Sequence, residues 1–189
     1  SGGLVDGGDA GGTDIQATGA GAIVTIDTAA GVGHAGAIDT TITTLDLDNT
    51  TSGNVDINET NALNINQLDQ DASGTVNVDA GGTITVVAGQ SGVTATTGNV
   101  ELDANGGASS ILVNAPVTTD DGAGTANGGD ISLLADDDVL IAAAGDVTSD
   151  GGNVTVTADA DNGGANSGAL TMADGAVINA LSGTITLSA

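Results

Sequence analysis

The sequence predicts an all-β chain wound into a three-sided parallel β-helix, a β-solenoid of roughly six to seven turns of 21–31 residues. Three observations predict it: a motif that recurs along the chain, apolar columns that stay unbroken when its copies are aligned, and glycines just ahead of the copies. The clearest copy is Gly152–Asn153–Val154–Thr155–Val156–Thr157–Ala158, and others begin at Ile23, Asn54, Thr75, Asn99, Asp130 and Thr184. In each, two aliphatic residues alternate with polar ones, the period of a strand with one buried face. One such strand cannot bury its face alone, whereas stacked copies bury one another.

The aligned copies give two inward columns: Val24, Val55, Val76, Val100, Ile131, Val154, Ile185, and Ile26, Ile57, Val78, Leu102, Leu133, Val156, Leu187. Between them runs a polar outward column, Thr25, Asp56, Asn77, Glu101, Ser132, Thr155, Thr186. A second outward column reads Asp27, Asn58, Asp79, Asp103, Leu134, in which Asp79 and Asp103 would repel by about 0.9 kcal/mol in water at one strand spacing. The closing column, Thr28, Glu59, Ala80, Ala104, Ala135, Ala158, Ala189, turns small where a corner leaves little room. Ahead of the strands stand Gly53, Gly74, Gly98, Gly129, Gly152 and Gly183, which we expect to turn the corner with positive φ.

In chain order, residues 1–22 carry weak strand signals at Leu4–Val5 and Ile15, and read as an incomplete first turn or a connecting segment. Residues 23–189 read as the β-helix repeats, starting near 23, 54, 75, 99, 130, 153 and 184. The first turn adds Ile38–Thr44 and Leu45–Leu47, and the short second adds Leu63–Ile65. Then come Thr83–Val87 with Val93–Thr96, Ser110–Asn114 with Val117–Thr119, Val139–Ala142 with Val147–Ser149, and Ala169–Met172 with Ala176–Asn179. Three short strands per repeat, joined by Gly, Asn, Asp and Ser, make a three-sided coil. Pro116 falls between two strands, where its missing N–H is tolerated. The loop-like start at Ser1–Gly3 and the close inside a repeat at Ala189 lead us to expect a segment of something longer.

Composition sets the boundaries. Phe, Tyr, Trp and Cys are absent, so the core must be Val, Ile, Leu and Ala. With 32 Gly and a net charge of −25, composition alone leaves disorder open, but an unfolded chain gives no reason for repeats to keep register. The 25 acids are accompanied by no Lys or Arg, which excludes nucleic-acid binding because nothing neutralises phosphates. No apolar run approaches the 18 residues of a membrane span, so we expect no membrane insertion.

We expect no enzyme and no catalytic residue. Asp120–Asp121 and Asp136–Asp138 can in principle supply an acid and a base. Acids are abundant in turns, however, and no cation stands ready to stabilise a developing anion. His34 lies alone in a glycine-rich loop, without a Ser or Cys motif. Threonine pairs such as Thr155–Thr157 do not stack over successive turns in this alignment, so an ice-binding plane is not expected. No cofactor is required, and calcium is the one with a physical case. It takes six to eight oxygens, which Asp159, Asp161 and Asn162, or Asp120 with Asp121, or Asp136 with Asp138 could begin to supply. We expect the fold to stand without it, with divalent ions raising the melting temperature.

Ser182–Gly183–Thr184–Ile185–Thr186–Leu187–Ser188–Ala189 and Gly151–Gly152–Asn153–Val154–Thr155–Val156–Thr157–Ala158 resemble the repeats of filamentous-haemagglutinin-like proteins and other giant bacterial surface adhesins. The resemblance runs from Ile23 onward. It implies a right-handed β-helical shaft, secretion, and adhesion or matrix building, and offers no catalytic residue to carry over. We therefore expect a stiff shaft segment of an extracellular fibre, cell-surface adhesin or matrix protein. It would assemble end to end or continue in a longer chain, with the glycan or host-surface target met elsewhere. The alternative is a β-helical polysaccharide-active enzyme or a tailspike-like glycan-binding protein.

Overall fold

A computed structural model describes residues 2–8, 11–33, 36–71, 73–120, 122, 126–161 and 168–189. No helix occurs among them. In chain order the strands are β1 (Ile15–Ala17), β2 (Val24–Thr28), β3 (Ile38–Ile42), β4 (Thr44–Asn49), β5 (Val55–Glu59), β6 (Leu63–Gln70), β7 (Val76–Ala80), β8 (Ile84–Val86), β9 (Gly92–Ala95) and β10 (Val100–Ala104). They continue as β11 (Ile111–Val113), β12 (Val117–Thr119), β13 (Ile131–Ala135), β14 (Val139–Ile141), β15 (Val147–Ser149), β16 (Val154–Thr157), β17 (Leu170–Met172), β18 (Ile178–Asn179) and β19 (Ile185–Ser188).

These strands form two sheets, and the pairing is parallel throughout. One runs β1-β3-β5-β7-β10-β13-β16-β19. The other runs β17-β14-β11-β8-β6-β9-β12-β15-β18, with β2 and β4 joined to it through β6. The long β6 explains that order: Leu63–Ile65 pairs with β8 and Gln67–Gln70 with β9, so later coils split into two strands what β6 makes in one. Strands that return to the same sheet in sequence order, side by side and parallel, fit a β-solenoid and a repeat protein.

The inward columns hold from β5 onward. Val55, Val76, Val100, Ile131, Val154 and Ile185 are successive register partners, as are Ile57, Val78, Leu102, Leu133, Val156 and Leu187. All are buried except Ile185 and Leu187 on the last strand. Each buried aliphatic contributes about 1.5–3 kcal/mol of transfer free energy, and the stack unites them in one continuous core.

The first copy does not belong to those columns. Val24 and Ile26 lie on β2 in the other sheet, over Leu45 and Leu47 of β4. The place beside Val55 is taken by Val32, and the place beside Ile57 by Ile38. Val32 donates its N–H to Asn54 O at 2.8 Å and accepts Asp56 N–H at 3.0 Å. A lone valine between two glycines carries no alternation, whereas Val24–Thr28 mimics the repeat, so the pattern pointed to the wrong strand. Leu4 bridges Val32 and β1 pairs with β3, so the described part of residues 1–22 packs on the stack.

The corner glycines have another cause than positive φ. Gly53 has φ +87°, but Gly74, Gly98, Gly129, Gly152 and Gly183 lie outside the left-handed region. They stack on one another: a Cβ on Gly98 would stand 1.6 Å from Gly74 O, and one on Gly129 2.2 Å from Gly98 O. Backbone meets backbone at this corner, and no side chain fits. The next residue ties the coils together. Asn54, Asn99, Asp130 and Asn153 each accept the N–H of the residue one coil on, at 2.7–3.1 Å.

Buried polar side chains interrupt the aliphatic interior. Glu59 is fully buried in the closing column, accepting Thr40 Oγ1–H at 2.6 Å, Ile42 N–H at 3.0 Å and Asn61 N–H at 3.0 Å. Asn49 and Gln70 are buried on neighbouring strands of the second sheet, where Asn49 Nδ2 donates to Gln70 Oε1 and Gln70 Nε2 to Gly53 O. Further along that column Thr119 and Ser149 hydroxyls donate to Gly129 O at 2.6 and 2.9 Å. Buried side chains thus supply partners to backbone groups that the crowded corner leaves over.

Candidate functional site

The outward face of the first sheet carries a polar groove running across the strands. One stretch, of about 340 Å³, is lined by Asn54, Asp56, Thr75, Asn77, Asn99 and Glu101. A second, of about 290 Å³, shares Asn99 and Glu101 and continues past Asp130, Ser132, Asn153 and Thr155. Alternation places these side chains, since every second residue of β5, β7, β10, β13 and β16 faces out. Asn77 Nδ2 donates to Asp56 Oδ1 at 3.0 Å. The walls thus combine carboxylates, amides and hydroxyls, a surface that can hydrogen-bond a polyhydroxylated chain or attract cations. The chain has no Lys or Arg to pair with an anionic ligand.

Next to the groove, amides donate to stacked acids. Asn58 Nδ2 donates to Asp39 Oδ1 at 2.7 Å, and Asn105 Nδ2 to Asp79 Oδ1 at 2.6 Å. The column is therefore Asp39, Asn58, Asp79, Asp103, with Asp39 where the sequence placed Asp27. Asp103 lies beside Asp79 in register. Its carboxyl is pushed up to about 6, first by burial and then by Asp79, Glu101 and Asp136.

A longer acidic ladder escaped the sequence reading. Asp27, Asp48 and Asp69 are successive partners on β2, β4 and β6. Asp48 Oδ1 is sealed from solvent with no hydrogen-bond partner. Burial first, then Asp71 and Asp27, raises the Asp48 carboxyl above its ordinary range; burial, Asp71 and Asp48 do the same for Asp69. Aligning Val24–Thr28 with Leu45–Asn49 instead of Val55–Glu59 would have revealed it.

The calcium candidates are dispersed. Asp120 Oδ1 accepts Gly122 N–H at 2.7 Å, while Asp121 lies outside the described residues. Asp136 Oδ2 accepts Gly107 N–H at 2.8 Å and Asp138 Oδ1 accepts Ala169 N–H at 2.8 Å, so both tie neighbouring coils together. Asp159 has φ +57° and a buried Oδ1 without a partner, Asp161 is exposed, and Asn162 and His34 lie outside the described residues. Among the described residues no group of three or more His, Cys, Asp or Glu could hold a metal ion.

Threonines do stack, contrary to the alignment: Thr94, Thr118 and Thr148 are register partners on β9, β12 and β15, as are Thr155 and Thr186 on the first sheet. The columns are short, and Leu134 interrupts the array beside Thr157. Comparison with protein-family models, curated proteins and solved structures gives no match.

Proposed function

We propose that this chain is a shaft segment, a right-handed, three-sided parallel β-helix within an extracellular fibre, bacterial surface adhesin or matrix protein. The observation that carries the reading is the unbroken register from β5 to β19, in which each strand adds one layer to the same core. Such a stack resists bending because shearing it breaks many backbone hydrogen bonds together, and acidic strand faces keep neighbouring rods in solution. The repeats' resemblance to filamentous-haemagglutinin-like adhesins supports a place outside the cell. Exposed Ile185 and Leu187 at one end, and half-buried Leu4, Ile15, Val24 and Ile26 around an opening of about 430 Å³ at the other, are surfaces a further coil would cover. That coil would come from the same chain or from another copy end to end. Electron microscopy of the purified protein tests the reading: it predicts rods of uniform width, and compact round particles would refute it.

The groove favours a second reading, a glycan-binding or polysaccharide-active surface. Glycan arrays and acidic-polysaccharide digestion, repeated with Glu101→Gln, Asp120→Asn and Asp137→Asn, separate the two. A shaft gives no turnover, and turnover abolished by any of these changes would establish the enzyme.

A further inference from the structure

The strand-borne charge divides the molecule. Ten carboxylates lie within described strands, and all fall in β2 to β10. The strands β11 to β19 contain none. On the row β8, β11, β14, β17 the outward residues are Thr85, Leu112, Leu140 and Thr171, successive register partners without a charge. Single exposed apolar side chains are ordinary, but here two leucines stack at the centre of a strip, and Leu140 is 38% exposed. A shallow groove of about 220 Å³ beside them is lined by Leu112, Leu140, Ala142, Thr171 and Ala173.

We propose that this strip is a self-association surface on which a second copy of the chain lies side by side and antiparallel. Read across the sheet, the strip is Thr, Leu, Leu, Thr, a palindrome. A twofold axis between β11 and β14 sets Leu112 against the partner's Leu140 and Thr85 against the partner's Thr171, which makes the strip its own complement. The same axis separates the strand-borne acid ladders of two chains of charge −25. It sends the two Asp27–Asp48–Asp69 ladders to opposite ends. At about 4.8 Å per strand, β6 stands about 12 Å from the axis, so the ladders are about 24 Å apart, beyond the ~8–10 Å screening length. Asp138 and Asp146, in the flanking loops, accept backbone N–H groups of Ala169 and Val177 within their own rod. The footprint is on the order of 200 Å² per copy, well under the ~800 Å² of a stable interface. Single segments therefore pair transiently.

The absence of cysteine makes the test clean. Thr85→Cys and Thr171→Cys chains are mixed in equal amounts under oxidising conditions, and the disulfide-linked species are counted by mass. Antiparallel pairing gives the mixed species in excess of the roughly twofold statistical preference of random collision, and adding Leu140→Asp to both chains lowers its yield about tenfold by burying an unpaired charge. Because residue 140 faces outward, that chain should melt at the wild-type temperature. A statistical mixture, a predominance of like-with-like disulfides, or a yield indifferent to Leu140→Asp overturns the proposal.

Discussion

Replacing Gly98 by alanine decides why glycine stands at the corner. Gly98 lies outside the left-handed region, so its backbone suits any residue. If glycine were there for flexibility alone, alanine would stabilise the fold by about 0.4–1 kcal/mol through the unfolded chain. The stacked corner demands the reverse. The new methyl would stand 1.6 Å from Gly74 O, where about 3.5 Å is the ordinary contact, so the coils must part by well over 1 Å. Beside it Val76 N–H meets Asn99 O at 2.8 Å and Val100 N–H meets Asp130 O at 2.9 Å. A shift of that size carries such bonds past the ~3.5 Å limit, and two or three lost at about 1–1.5 kcal/mol each cost about 2–4 kcal/mol. Urea unfolding followed by far-ultraviolet circular dichroism suits a chain without aromatic fluorophores. Two controls calibrate it. Gly12→Ala, with open space and ordinary φ, should stay within about 0.5 kcal/mol of wild type, and Gly89→Ala, with open space but φ +74°, should lose about 1 kcal/mol. A Gly98→Ala chain as stable as wild type, or more so, refutes the stacking argument.

Three further outcomes follow from the same geometry. The Asp103 carboxyl titrates near 6 in the fold against an ordinary 3.8, and those of Asp48 and Asp69 are also raised, so the folded state holds protons that the unfolded chain has released. Stability should therefore rise as pH falls from 7.5 toward 5, and Asp103→Asn should raise the melting temperature at pH 7.5 and flatten that slope; a wild-type melting temperature that is higher at 7.5 contradicts it. Glu59→Leu strands the Ile42 N–H and the Thr40 hydroxyl in the interior and should cost about 2–4 kcal/mol in urea, with Glu59→Gln milder because it keeps an acceptor. Millimolar calcium should raise the melting temperature by relieving the Asp27–Asp48–Asp69 repulsion, while a chelator leaves the protein folded. Asp48→Asn with Asp69→Asn should erase the calcium effect, and a wild-type midpoint unmoved by calcium would remove the ion from the account.

The sequence revealed most where its pattern was redundant. From Asn54 onward, several columns agree on one register, and a one-residue slip would turn every valine and leucine outward. Upstream, only Val24–Thr28 showed the alternation. It suits either sheet equally, and Val32, which takes the place in the first sheet, sits in a glycine loop with no periodicity. The glycines were visible, but their cause was not, because close approach of two backbones a coil apart is a contact and leaves no local mark. Glu59 stood out as an acid in a column of alanines; that it accepts the Ile42 N–H and the Thr40 hydroxyl needed the neighbouring strand. The groove was legible as the polar outward column Asp56, Asn77, Glu101, Ser132 and Thr155, and the calcium candidates only as an excess of turn acids. The partners of Asp136 and Asp138 lie 29 and 31 residues away, which no spacing within a loop reveals.

Methyl-resolved nuclear Overhauser spectroscopy tests the stacking most directly, because Val76, Val100, Ile131 and Val154 are successive partners in one column. With those methyls labelled, cross-peaks should join Val76 to Val100, Val100 to Ile131, and Ile131 to Val154, and none should join Val76 to Val154. Cross-peaks that skip a coil, or helical amide patterns over Val100–Ala104 and Ile131–Ala135, would contradict the stacked core and the shaft built on it.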